Sequence, residues 1–359
     1  METREWKTGK HFPKEQKVPD RADLLAALGE YGVSEANEVT LFDTTHDADD
    51  VRLNFIVDRK YVLRFVKAPD LSERRFAELN RLIGRYRACG ILCPAFLPGL
   101  DGRFLHAWEN LSVYCAEYVD LKLADETEIA DKDAFWDDIH DFEARFAERF
   151  RDFDLSDTVG MYSLFDLDPY DAAIGVDEKQ QNFNALVKKL NALDQTALSE
   201  RLSARHDAVR ARLYAIYREL PRVFVQDDAN ESNVLVDENG RFAGLIDFNL
   251  AGTEVVVNTF ANWSAGDYRI TEREPIGAAV RLESALREYR RCMDRAFSFY
   301  RATAREREAA GLYAWIAMAA QWPVFCFFDA ALDAGGARRD ETLELLGLIA
   351  DLDPDSLRA

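Results

Sequence analysis

The chain has 359 residues, 48% of them hydrophobic and 12% aromatic, with 18 Gly and 10 Pro, so it carries enough apolar mass for two lobes with cores and is not a disordered polymer. Its formal net charge of −20 argues against a nucleic-acid or anionic-membrane partner, since phosphates are repelled, and permits a cationic small molecule without demanding one. Five scattered cysteines (Cys89, Cys93, Cys115, Cys292, Cys326) lack zinc-site spacing, and Met1 to Pro19 is charged with no apolar core; both suit a reducing cytoplasm and no secretory leader.

In chain order, Val39 to Phe42 and Val51 to Val57 have strand character, and Asp58-Arg59-Lys60 reads as a turn into a third strand, Tyr61 to Val66. Side chains alternate along a strand, so Val62, Arg64 and Val66 share one side. Ser72 is a good N-cap for a helix with Phe76, Leu79, Leu82 and Ile83 at helical spacing; Gly90 closes it and Pro94 prevents its resumption. Leu111 to Val119 reads as a further strand. From about Leu121 the texture becomes helical and acidic: Phe135, Ile139, Phe142, Phe146 and Phe150 form the buried stripe of a long helix. Ala197 to Leu220, Pro275 to Tyr300, Thr303 to Leu332 and Asp340 to Leu352 are the other predicted helices. Leu312 to Phe328 is apolar except for Gln321, but it is short for a span and Pro323 would kink it, so a buried helix is expected. The prediction is an α+β protein, with a sheet lobe over residues 1–120 and a mainly helical lobe over 121–359.

Between the late helices lies a stretch of different character. The polar loop Gln226 to Asn233 separates apolar runs, and Val234-Leu235-Val236 and Phe242 to Ile246 flank Asp237-Glu238-Asn239-Gly240, a strong hairpin signal. A hairpin brings its outer ends together, so Asn233 and Asp247 are expected beside the loop carrying Asp228. Two hard oxygen ligands suit Mg²⁺, which keeps its other positions for water and phosphate oxygens. Asp228 would accept a hydroxyl's hydrogen bond and take its proton.

The run Phe224 to Asn249 resembles the catalytic core of the aminoglycoside phosphotransferase and choline kinase-like superfamily, whose pattern is H-G-D-x-x-x-x-N, a hairpin and I-D-F/W. The resemblance extends over roughly residues 35 to 265 and implies a bilobal protein-kinase-like fold and transfer of the γ-phosphate of ATP or GTP to a small-molecule hydroxyl. It implies Asp228 as catalytic base and Asn233 and Asp247 as Mg²⁺ ligands. It also implies that Arg64 (Lys67 is the alternative) grips the nucleotide phosphates and pairs with Glu78. Thr44 and Thr45, with His46, would donate to phosphate, and Glu117-Tyr118 would be the hinge segment whose backbone meets a base.

Departures from that pattern keep a second reading open, a catalytically impaired pseudokinase that binds a nucleotide or ligand. Gln226 and Asp227 replace His and Gly, and Asp227 sets a second carboxylate next to the expected base. The loop Asp43 to Asp50 lacks glycine and is acidic, either as a phosphate-covering loop with hydroxyl donors or as a solvated turn; a calcium site there lacks EF-hand spacing. Val255 to Ala261 lacks the structural Asp usual after the second motif, with Asn258 or Thr259 as replacements. For the acceptor, Trp263, Asp267, Trp315, Trp322 and Asp329 are candidates by residue type alone, and the oligomeric state stays open.

Overall fold

The structure, a computed structural model, describes residues 8–68, 71–169 and 171–358, so the first seven residues of the charged N-terminal segment lie outside the described residues. In chain order its elements are α1 (Arg21–Glu30), β1 (Val39–Asp43), β2 (Val51–Val57), β3 (Tyr61–Lys67), α2 (Glu73–Ala88), β4 (Phe96–Leu97), β5 (His106–Trp108), β6 (Leu111–Glu117), β7 (Lys122–Leu123), α3 (Lys132–Phe150), α4 (Glu178–Ala192) and α5 (Thr196–Tyr217). There follow β8 (Arg222–Val225), β9 (Val234–Val236), β10 (Phe242–Leu245), β11 (Gly252–Val255), α6 (Val256–Ser264), α7 (Ala278–Phe299), α8 (Ala304–Ala320), α9 (Trp322–Ala334) and α10 (Gly336–Asp351). The chain divides into two compact units, Met1–Asp131 with Asp228–Phe248, and Lys132–Asp227 with Asn249–Ala359.

The first unit is built on an antiparallel sheet of order β1-β2-β3-β6-β4, with β5 added to β6. The expected β2–β3 turn forms: Asp58 and Arg59 both take left-handed φ of 51°, and Lys60 N–H donates to Val57 O at 3.0 Å. Alternation then sorts the side chains of β2. Val51, Leu53, Phe55 and Val57 are fully buried in a core with Leu24 and Leu28 of α1, while Arg52, Asn54 and Ile56 face the other way, half-buried. α2 starts where Ser72 caps it, its Oγ accepting from Arg75 N–H. Phe76 packs edge-on against Phe96 and Tyr114, fixing α2 beside the sheet.

The second small sheet of this unit, β10-β9-β7, contains a segment from far down the chain. Leu92 holds it to the turn after α2, donating to Ala243 O and accepting from Leu245 N–H, both at 2.9 Å. Only glycine fits at 244, because a Cβ there would lie 2.5 Å from Leu92 O. Ala124 N–H donates to Val234 O at 2.9 Å on the other side.

The second unit is helical, with the two-stranded pair β11–β8. The predicted stripe of α3 is buried at Phe135, Ile139, Phe142 and Phe146. Three helices escape the periodicity reading, α4 and α6 here and α1 in the first unit, where a single helix is expected. The helix predicted over Thr303 to Leu332 is in fact two, parted at Gln321, where Pro323 sits in the first turn of α9 and lacks the N–H that a continuous helix needs. Ala304–Ala334 is long and apolar enough to cross a membrane by composition alone, and 67% of its most apolar window lies buried inside the protein, as the interior-helix expectation requires.

Candidate active site in the sheet unit

The stretch 228–248 folds as the turn signal predicts. Asp237 caps its own turn, its Oδ1 accepting from Asn239 and Arg241 N–H at 2.8 and 2.9 Å, and β9 pairs antiparallel with β10. One residue beyond the strands, Ile246 N–H donates to Asn233 O at 2.9 Å, which holds Asn233 and Asp247 at the mouth of the hairpin. Asp247 has φ 52°, a left-handed conformation that Asp tolerates better than most side chains.

Asp228 lies beside this mouth. Asn233 Nδ2 donates both to Asp228 Oδ2 at 2.8 Å and to Asp228 O at 2.9 Å, and Asn230 Nδ2 donates to Asp228 Oδ1 at 2.9 Å. Burial pushes the Asp228 carboxyl up to about 6, against the stabilising amide of Asn230, and the negative charge of Asp247 acts in the same direction as burial. Nδ2 of Asn233 is engaged by Asp228, and the Asn233 Oδ1 and the Asp247 carboxylate are hard oxygens of the kind Mg²⁺ takes. No group of three His, Cys, Asp or Glu side chains among the described residues is placed to hold a metal, and the acidic loop is no exception.

Asn233 and Asp247 are among the residues lining a cavity of ≈ 520 Å³, a size suited to a nucleotide-like ligand. The half-buried face of the sheet supplies Thr44, Arg52, Asn54 and Arg64, and apolar walls come from Ile56, Val62, Phe96, Leu121, Leu235 and Phe248. Ala116, Glu117, Tyr118 and Val119 also line it. The N–H of Val119 meets no acceptor among the described residues, although its carbonyl accepts from Leu121.

The expected residues separate into two groups. Arg64 and Thr44 reach the cavity, Arg64 lying 5.4 Å over the ring of Tyr114 with its buried Nε lacking a hydrogen bond. Thr45 faces away, its Oγ1 accepting from Arg52 N–H at 3.1 Å. Arg64 and Glu78 are not joined; Glu78, buried on α2, has Oε1 3.4 Å from Arg74 Nε. Glu117 is tied to Arg87 and to Ala95 N–H, which leaves the backbone as its contribution to the cavity. Lys67 is held by Asp49 and Ala48 O. Arg52 and Asn54 are the polar cavity residues that the sequence reading missed; the alternation of β2 marks their face, and only the sheet order shows what that face lines.

The loop 43–50 is a closed turn whose carboxylates have local partners. Asp43 accepts from Gly9 and Thr45 N–H, Asp47 from Asp49 and Asp50 N–H, and Asp50 pairs with Arg52 through both oxygens at 2.6 and 2.8 Å. In the helical unit Asp227 is 2% exposed with φ 64°. Of the acceptor candidates, Trp315 is wholly buried with Nε1 on Ile349 O, Asp329 is paired with Lys189, Asp267 caps Arg269 N–H and Trp263 lies near His140. Trp322 alone among those tryptophans is more than half exposed, at 55%.

The family model described as the phosphotransferase enzyme family (APH) matches residues 39–294, well over half of the chain. Among solved structures the chain is similar to a microcompartment-associated aminopropanol kinase, with 12% identity, a TM-score of 0.53, and coverage of 93% of this chain and 96% of that one. An amicoumacin kinase in complex with AMP-PNP, Ca²⁺ and its antibiotic matches with 13% identity and a TM-score of 0.51, covering 89% and 91%. An aminoglycoside phosphotransferase from Alicyclobacillus acidocaldarius matches with 12% identity and a TM-score of 0.51, covering 96% and 97%. At these identities the structural likeness speaks for the fold. No curated protein matches the sequence.

Proposed function

From the premise that the chain belongs to the phosphotransferase enzyme family, we propose that it moves the γ-phosphoryl group of ATP or GTP to a hydroxyl of a small metabolite or antibiotic, in the cytoplasm. The observation that carries the reading is the hairpin mouth, where the Ile246–Asn233 hydrogen bond holds Asn233 and Asp247 near Asp228, with Asn233 and Asp247 lining a cavity of nucleotide size.

In this reading Asp228 is the base. Its carboxyl, pushed up to about 6, is ionised at neutral pH yet basic enough to accept the acceptor's proton as the new O–P bond forms and the bridging O–P bond to the nucleoside diphosphate breaks. Asn233 fixes the orientation of Asp228 through Nδ2 and offers Oδ1, with Asp247, to Mg²⁺. When bound, the metal supplies charge neutralisation on the phosphate oxygens. Arg64 and Thr44 face the phosphates, beside Arg52 and Asn54, whose donors engage Asp50, Phe42 O and Thr44 and so brace that wall. The unengaged N–H of Val119 and the backbone of Glu117 and Tyr118 meet the edge of the base. Asp227, almost wholly buried, is the poorer base of the two neighbours.

One observation favours the pseudokinase reading: Arg64 and Glu78 do not pair. A phosphorylation screen across sugars, amino alcohols, amino acids and aminoglycosides, wild type against Asp228→Asn, decides between the readings. Turnover lost in the variant with nucleotide binding kept supports the kinase. Nucleotide binding without turnover on any acceptor supports the pseudokinase, and full activity of Asp228→Asn on a hit removes Asp228 as base.

A further inference from the structure

Two side chains on one face of α2 grip the short stretch that runs beside the end of β6. Asn80 brackets Phe96, its Nδ2 donating to Phe96 O and its Oδ1 accepting from Phe96 N–H, both at 2.8 Å. Two turns further along the helix, Arg87 donates through Nε to Cys93 O at 2.8 Å and through Nη2 to the same carbonyl. Nη2 also donates to Oε2 of Glu117, the last residue of β6. That carboxylate oxygen accepts from Ala95 N–H as well, at 3.2 Å, while Glu117 N–H donates to Ala95 O at 2.9 Å. Ala95 and Glu117 are closed into a ring by these two bonds, and Arg87 locks the ring from the helix side.

The exposure of the pair says that its worth does not lie in stability. The Arg87 and Glu117 side chains are 38% and 41% exposed, and an ion pair so open to water adds little to folding. Its geometry, by contrast, reaches the cavity from behind. Pro94, Phe96, Ala116 and Glu117 line the cavity, and all four belong to the two stretches of backbone that Asn80 and Arg87 hold together. Pro94 lacks an N–H, so the connector is fastened at its neighbours, Cys93 and Ala95. Tyr118 N–H donates to Lys60 O at 2.8 Å, which fixes the next residue from the β3 side. Arg87 is not among the lining residues, so its effect on a ligand is indirect.

We propose that Arg87, acting through Glu117, is a positioning residue for nucleotide binding: it sets the backbone of residues 117–119, against which the base of the nucleotide lies. The role rests on the nucleotide reading of this cavity given above. An arginine suits the task because its planar fork holds a carbonyl and a carboxylate at once, which the single ammonium of a lysine does less rigidly. The grip comes from α2, so a shift of that helix is carried to the base-facing backbone.

The test titrates the full chain, in Mg²⁺, with AMP-PNP or GMP-PNP, whichever binds wild type more tightly. Inorganic tripolyphosphate, which offers the phosphates without a base, is titrated beside it, and each variant is melted. Arg87→Met and Glu117→Ala are each expected to raise the nucleotide Kd about tenfold, within the coupling that contacting residues show, and the double variant no more than either. In Arg87→Met the Tm and the tripolyphosphate Kd stay at wild-type values, and Arg87→Lys recovers part of the nucleotide affinity. A merely structural role gives the opposite pattern, with both ligands weakened together and Tm lowered. Wild-type nucleotide affinity in Arg87→Met, losses that add in the double variant, or equal losses for the two ligands overturn the proposal. A wild type that binds neither nucleotide better than tripolyphosphate sinks the nucleotide reading itself, and the positioning role with it.

Discussion

The sheet unit holds two acidic runs that differ in what surrounds them. In the loop 43–50, Asp50 is paired with Arg52 and Asp49 with Lys67, while Asp43 and Asp47 accept backbone N–H groups of their own turn. At the hairpin mouth Asp228 is met by the neutral amides of Asn230 and Asn233, and the negative charge of Asp247 acts on it. One run is met by cations and backbone N–H groups, whereas Asp228 is held by neutral side-chain amides. A string of aspartates in a sequence therefore says little about chemistry until its partners are placed: neutral donors orient an anion without neutralising it, and paired cations do both.

The comparison can be broken at several points, in falling order of effect. Asp228→Asn keeps the side chain's size, can accept from only one of the two amides and removes the proposed base, and is expected to lower kcat by about 10²–10⁴-fold, measured in steady-state phosphotransfer with nucleotide binding as control. Because the Asp228 carboxyl is pushed up to about 6 and a base works deprotonated, wild-type kcat should rise as pH increases through that value and level off above it. Asp247→Asn removes the charge from the mouth, and is expected to raise the Mg²⁺ concentration needed for half-maximal rate by about tenfold or more, seen in a metal titration. It should also lower the Asp228 pKa, since the repelling neighbour is gone.

A third environment sharpens the contrast. Glu143 on α3 is buried with Oε2 lacking any partner, and burial pushes its carboxyl up to about 8. A folded-state pKa above the unfolded one means that the contribution of this group is greatest below the unfolded value and is lost as pH rises toward 8. Glu143→Gln should therefore gain in Tm over wild type between pH 5 and pH 8, by on the order of 5 °C, followed by thermal melts across that range. The smallest effect is expected in the closed loop: Asp49→Asn breaks an exposed pair with Lys67 and should leave both the melting temperature and kcat at wild-type values.

Much of the site was legible because its signals are local. Asp237 to Gly240 announces the hairpin, and hairpin geometry alone places Asn233 against Asp247; the Ile246–Asn233 hydrogen bond is that inference realised. The Asp58–Arg59 turn and the buried stripe of α3 were equally direct. What escaped depends on neighbours distant in the chain. α6 begins Val256-Val257 and is buried on every side from Val256 to Asn262, so it shows neither helical composition nor an amphipathic stripe. Arg52 and Asn54 become cavity residues only when β2 lies between β1 and β3 with α1 covering its other face. The break at Gln321 was marked by Pro323, yet a proline in a helical pattern predicts a kink as readily as a new start. Arg64 and Glu78 match their expected places on strand and helix, and a sequence carries no information on whether such a pair is closed at a given moment.

The stitches that Leu92 makes to Ala243 and Leu245, and the one from Ala124 to Val234, have a consequence for the order in which the protein is made. A ribosome that has released the first 131 residues has delivered the sheet and α2, but β9 and β10, which belong to the same compact unit, are still about a hundred codons away. The nascent sheet unit must wait with β7 and the Leu92 backbone unpaired until residue 248 emerges, by which time α3, α4 and α5 are already outside the tunnel. A nascent chain stalled just after Asp131 should thus be cut by protease around Leu92, and one stalled far enough past Phe248 should be protected there.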